Sequence, residues 1–166
     1  MQANCRYGPG KAYLYAHGLY EGDTALAHGR TASGSWLWVQ PEGLERHCWV
    51  AASVVALDGE AASLPVVQTR LPQSTFYSPP QNVQADRDGD QVWISWERVA
   101  MTADDDRGYL LEAMLCQDGR LMFVAIQTAD NQYEFRDEPG CPQASTVYLY
   151  TVDKHGYSTP VTVPLP

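Results

Sequence analysis

The chain is short of basic charge, of long apolar runs and of the residue spacings on which most catalysis depends. Lys and Arg number 11 against 20 Asp and Glu, for a net charge of −9. Nucleic-acid binding needs clustered Lys and Arg to neutralise phosphates, so that class is set aside. The same balance disfavours an anionic membrane surface. It permits a polymer carrying cationic groups, although surface solubility is the simpler account. No stretch approaches the roughly 18 apolar residues of a membrane span, so no membrane insertion is expected. Nor does residue 1 open a signal peptide: Met1-Gln2-Ala3-Asn4-Cys5 runs straight into patterned sequence, as in a trimmed mature chain or fragment with an added start residue.

Catalytic and metal signatures are equally sparse. No two of His17, His28, His47 and His155 have the spacing of a helical or strand metal pair. Ser35, Ser53 and Ser95 sit in no glycine-x-serine-x-glycine elbow. Asp104-Asp105-Asp106 could ligate calcium, but a proper loop needs alternating ligands, usually with a glycine and a bidentate acid downstream, and three adjacent acids do not alternate. They read instead as a solvated loop. No catalytic residue, metal or cofactor is assigned, and the chain reads as a non-enzyme.

Four cysteines remain: Cys5, Cys48, Cys116 and Cys141. None lies in a C-x-x-C pair, so zinc and thioredoxin-like readings lack support. They divide two and two across the halves of the chain, and a nucleophilic role would need a free thiol. If Cys5 pairs with Cys48, loop closure contributes about 4 kcal/mol, and a Cys116–Cys141 bridge about 3.5 kcal/mol. Such staples suit small β modules in oxidising compartments, which places the chain outside the cell or on its surface. Four buried free thiols are the alternative.

What the sequence has is strand vocabulary: ten Tyr and five Trp among many Val and Thr, punctuated by 13 Gly and 11 Pro. From Ala3 to Val55 no segment keeps a helical period. Asp23 to Arg30, Ser35 to Gln40 and Arg46 to Ala51 read as short strands separated by Gly-bearing turns, which indicates a small barrel. Between residues 57 and 78, Pro65, Pro72 and the approach to Pro79-Pro80 favour an extended linker. From residue 79 the strand pattern resumes. Gln91 to Trp96 alternates, with Val92, Ile94 and Trp96 on one face and Trp96 as core anchor. Gly108 to Leu115 and Leu121 to Ile126 flank Asp118-Gly119, a hairpin turn signal. Gln132 to Phe135, Val147 to Val152 and Pro160 to Val163 follow. About seven short strands is the expectation for an immunoglobulin-like sandwich. The fold class is therefore all-β, a barrel over 1–56 and a sandwich over 79–166.

The segment Asn4-Cys5-Arg6-Tyr7-Gly8-Pro9-Gly10 resembles the opening of bacterial SH3-like domains, with their arginine-x-glycine-proline-glycine turn. Gly22-Asp23, Gly34-Ser35-Trp36-Leu37-Trp38-Val39, Cys48-Trp49-Val50 and Ser53-Val54-Val55 match later landmarks of that family in order, over roughly residues 3 to 67. Cysteines on the first and closing strands look like a cystine-stapled subtype. The remainder, about 79 to 166, resembles a fibronectin type III domain. Pro79-Pro80-Gln81-Asn82-Val83 matches its opening, Val92-Trp93-Ile94-Ser95-Trp96 its tryptophan strand, and Gly108-Tyr109-Leu110-Leu111-Glu112 the next strand. Gly156-Tyr157-Ser158-Thr159-Pro160 matches its late turn. The family's threonine-x-tyrosine corner falls near Ser145, where there is no Tyr, and Cys141 is placed to brace that corner instead.

Tyr7, Tyr13, Tyr15, Trp36, Trp38 and Trp49 are too many aromatics for one small core. Alternation puts Trp36 and Trp38 on one face of their strand with Leu37 opposite. In the SH3-like family, aromatics line a groove for peptides, often cell-wall peptides, and such grooves suit extended chains. The resemblance thus assigns ligand binding to Tyr7, Tyr13, Tyr15, Trp36 and Trp38. Trp49 is expected in the core, with Tyr7, Tyr13 and Trp38 nearest the groove. The alternative has Trp36 and Trp49 filling the barrel while the tyrosines cover its edges. Three functions follow as expectations: a non-catalytic extracellular module binding a cell-wall peptide, glycan or surface protein; a self-associating structural subunit or stalk segment; or the ectodomain fragment of a surface receptor.

Overall fold

The computed structural model describes residues 2–166, which divide into two compact units at Leu71/Pro72. The fold is all-β; helix is limited to single 3-10 turns at Ala52–Val54 and Ala61–Ser63 among the described residues. The segment 57–78 is shared between the units at that division rather than standing apart from both.

The first unit holds β1 (Ala3–Arg6), β2 (Tyr15–Leu19), β3 (Ala25–Arg30), β4 (Trp36–Pro41) and β5 (Cys48–Ala51). They form one antiparallel, curled sheet in the order β2-β1-β5-β4-β3, which leaves β2 and β3 as edges. Ala3, Cys5, Leu19, Leu37, Val39, Cys48 and Val50 make the buried core on its concave side. This core is aliphatic and thin, and a disulfide joins Cys5 to Cys48 within it (Cα–Cα 5.4 Å). The cystine therefore serves as core material and cross-link together.

The second unit contains two sheets. One is three-stranded, ordered β10 (Gln132–Arg136), β7 (Gln91–Glu97), β6 (Gln81–Asp88). The other runs β12 (Gly156–Tyr157), β11 (Thr146–Asp153), β8 (Asp106–Gln117), β9 (Arg120–Thr128), with β13 (Val161–Pro164) also on β11. Inward residues of both sheets form one core, including Val92, Ile94, Trp96, Leu111, Val147 and Leu149. Trp96 is its anchor as expected, set edge-on to Tyr109 at 5.1 Å. The β8–β9 hairpin turns on Asp118-Gly119 alone. Both have positive φ (50° and 74°), the conformation that makes this dipeptide a two-residue hairpin turn.

The corner near Ser145 is held without a tyrosine. Cys141 is disulfide-bonded to Cys116 on β8, and the Ser145 hydroxyl donates to the carboxylate of Asp137. Asp137 is 2% exposed. Its carboxylate pairs with the Arg87 guanidinium from β6 and accepts the Cys116 N–H at 2.7 Å. One buried acid thereby ties both sheets to the corner loop. Residues 72–78 also belong to this unit: Tyr157 N–H donates to the Pro72 carbonyl at 2.9 Å, Ser74 N–H to the Tyr157 carbonyl at 2.8 Å, and the Ser74 hydroxyl to the buried Asp153 carboxylate.

Candidate functional site

In the first unit the loop after β1 is cinched from within. Arg6 Nη1 donates to the Tyr13 carbonyl at 2.7 Å, and Tyr7 N–H to the Leu14 carbonyl at 3.0 Å. The Tyr13 ring lies across Gly8, so close that a Cβ there would sit 2.4 Å from it. Tyr13 is consequently buried, at 3% exposure, and has no face to offer a ligand. Tyr15, by contrast, is 52% exposed at the start of β2, and Tyr7 is half-buried.

Trp36 and Trp38 do share a face of β4, half-buried, opposite Leu37 and Val39. Register places Trp38 beside Trp49 on β5. Trp49 is buried, as expected, but lies on this outer face and not among the core residues Cys48 and Val50 that flank it. A strap made by residues 65–69 covers it. Arg30 N–H donates to Pro65, Val67 N–H returns to Arg30, and the Trp49 indole N–H donates to Thr69 Oγ1 at 2.8 Å. The strap follows from burial: an indole lying on the convex side of the sheet needs a lid and an acceptor for its N–H. Thr69→Val removes the acceptor and leaves the N–H buried. The expected cost is about 1–3 kcal/mol, read from chemical denaturation followed by Trp fluorescence, with Thr69→Ser near wild type. An unchanged midpoint in Thr69→Val would show that this bond adds nothing.

Beside Trp38, two histidines distant in sequence meet. His28 Nδ1 and His47 Nε2 are 2.6 Å apart, and the His47 ring stacks on Trp38 at 4.2 Å. Burial, then the neighbouring His28, pushes the His47 imidazole below its ordinary 6.5. Spacing along the chain could not show this pair, because strand pairing through β4 creates it. Among the described residues, no group of three or more His, Cys, Asp or Glu is placed to hold a metal ion.

The Asp104–Asp106 carboxylates turn to separate partners. Asp104 pairs with Lys154, and Asp106 accepts the Gly108 N–H at 2.7 Å. Asp105 accepts from Tyr77 at 2.7 Å and Thr102 at 3.0 Å, and pairs with Lys154 at 3.1 Å. Those bonds, Tyr77's first, hold its pKa at about 2. The loop reads as internally satisfied.

The concave side of the curled sheet is where the unit stays open. A groove of about 1050 Å³ has Leu37, Val39 and Val50 in its floor, with β3 as one wall and residues 54–64 as the other. Tyr20, Leu26 and Val54 line it while remaining 61%, 66% and 51% exposed. Glu21, Asp23, Asp58 and Glu60 line it too, four of the six carboxylates in residues 1–71, and no Lys or Arg does. None of Tyr7, Tyr13, Tyr15, Trp36 and Trp38 lines this groove. Leu37, Val39 and Val50 are ordinary strand residues, and the concavity they share appears only once the sheet curls. The one local signal was the acidic pairing of Glu21 with Asp23 and of Asp58 with Glu60, each spanning a Gly turn.

A second hollow, about 450 Å³, is lined by Thr24, Ala25 and Leu26 together with Gln40 to Leu44. Comparison with known proteins finds no family model that matches this chain and no curated protein significantly similar to it.

Proposed function

We propose that the chain is a non-catalytic extracellular binding module whose first unit holds the ligand in its concave groove, with the second unit as a spacer. The observation that carries this reading is the groove itself: an apolar floor, apolar side chains kept in water at its rim, and carboxylates without a cation among its lining residues. Exposed apolar surface at a concave site is a common mark of binding. The curled five-stranded sheet stapled between its first and closing strands supports the SH3-like resemblance. The three-stranded sheet sharing a core with β9-β8-β11 and β13 supports the fibronectin type III resemblance. Two disulfides fit an oxidising compartment, and the ligand class is a cell-wall peptide, a glycan or a surface protein.

Binding to isolated cell walls tests the reading. Tyr20→Ala with Val54→Ala is expected to lower it at least tenfold, while Tyr7→Ala with Trp38→Ala leaves it within twofold. Loss only in the second pair would move the site to the aromatic face, and binding untouched by the first pair would remove the groove from consideration.

A second reading, a self-associating subunit of a surface assembly, is favoured by β9. This nine-residue edge strand carries no charge from Leu121 to Thr128 and exposes Met122 and Phe123. Uncharged edges of this kind invite pairing between copies. Light scattering that stays monomeric across the concentration range would argue against it.

A further inference from the structure

The groove is bounded by a sheet edge, and that edge is what defines its occupant. β3 pairs with β4 on one side only. On its other side the strap meets it at a single parallel bridge, Arg30 with Val66. The regular stretch Ala25–Ala27 precedes a bulge and has no strand along its outer edge among the described residues. Ala25, Leu26 and Ala27 carry neither charge nor proline, and the devices that protect this edge from another strand, the bulge and the strap, lie beyond Ala27. The two hollows flank this stretch and share Thr24, Ala25 and Leu26. A strand laid along β3 would send successive side chains to opposite faces of the sheet, one set into each hollow. Both hollows are acidic: the larger has four carboxylates, the smaller Glu42, and neither is lined by Lys or Arg.

We infer that β3 is a docking ledge for an extended, cationic segment of a partner protein, which adds as a strand beside Ala25–Ala27. Its main chain satisfies the free edge, its apolar side chains meet the exposed Tyr20 and Val54, and its Lys or Arg side chains meet the carboxylate rim. At its far end the same edge already pairs with Val66 through one isolated parallel bridge at Arg30. The inference rests on the binding-module reading and adds to it the polarity and chain conformation of the ligand.

The test uses the full chain and a nine-residue capped peptide of three Lys-Val-Thr repeats. Its companions carry Gln or Glu for Lys, or N-methylated valines. Amide NMR titration at low salt is expected to shift Ala25–Ala27 and Val54 with the Lys peptide. The Gln peptide should bind at least tenfold more weakly, and the Glu and N-methylated peptides should leave those signals in place. Asp58→Asn with Glu60→Gln should weaken the Lys peptide severalfold. Equal binding of Lys and Gln peptides in the groove overturns the cationic preference and leaves the groove as a site. Equal binding of the N-methylated peptide overturns strand addition. Shifts by none of the peptides, in a chain that still binds cell walls through Tyr20 and Val54, overturn this inference alone; loss of both results removes the binding reading with it.

Discussion

Asp137→Ala is expected to destabilise the second unit by about 2–4 kcal/mol, because this acid is the shared acceptor for one guanidinium and two further donors. The acid is 2% exposed and its guanidinium partner Arg87 is 23% exposed. Substitution also frees the Cys116 N–H and the Ser145 hydroxyl beside the Cys116–Cys141 bridge. Asp137→Asn keeps the shape but loses the charge, and should fall between. pH dependence provides a separate reading. Burial works to raise the Asp137 pKa, but bonds from Ser145, Cys116 and Arg87 outweigh it and hold the value below the ordinary 3.8. A carboxylate depressed on folding contributes stability that is complete above its unfolded pKa and is lost as pH falls through the folded one. Wild-type protein should therefore lose stability below about pH 4, and Asp137→Asn should lose less over that range. Denaturant titrations at pH 7 and pH 3 measure both. Parallel losses in the two proteins would assign the acid sensitivity elsewhere.

Cys5→Ala with Cys48→Ala is expected to unfold the first unit while leaving the second folded. The bridge spans 43 residues, which corresponds to about 4 kcal/mol in the chain-entropy model. A unit of this size, 1–71, draws no more than about 3–5 kcal/mol from a single core, so the loss is comparable with the whole. Both sulfurs are also buried among the residues they staple, so their removal thins a core that contains no aromatic side chain. Calorimetry should show one transition in the variant where wild type shows two, and the amide signals of β1 and β5 should collapse. A variant whose first unit persists with Tm a few degrees lower would show that aliphatic packing alone suffices. The second bridge closes a shorter span of 25 residues in a better-filled sandwich, and its loss should cost about 3.5 kcal/mol or less.

Much of the architecture was legible because it is local. Alternation at Gln91–Trp96 separates Val92 and Ile94 from Trp93, and strand pairing preserves that assignment. Asp118-Gly119 names its own turn through the conformations those residues tolerate. The sequence pattern does not reveal strand β2, since His17, paired with the buried Cys5, stands where alternation would ask for an apolar residue, and Gly18 beside it reads as a turn. Trp49 exposes the limit of composition: its burial was expected, its side of the sheet was not. Which face an indole occupies depends on what else can cover it, and here the cover comes from Thr69, 20 residues on.

By itself, then, the sequence determined that the chain is all-β, where many of its strands and turns fall, and that its cysteines divide two and two. These follow from side-chain period, turn chemistry and count, which act over a few residues. Only the tertiary structure decided that Tyr13 is sealed beneath its own loop and that residues 65–69 strap the tryptophan face. It also brought His28 to His47 and left the open, acidic groove along β3 and not among the aromatics. Those outcomes depend on how far a sheet curls and which edge stays unpaired, and both are set by packing between segments that the chain order keeps apart.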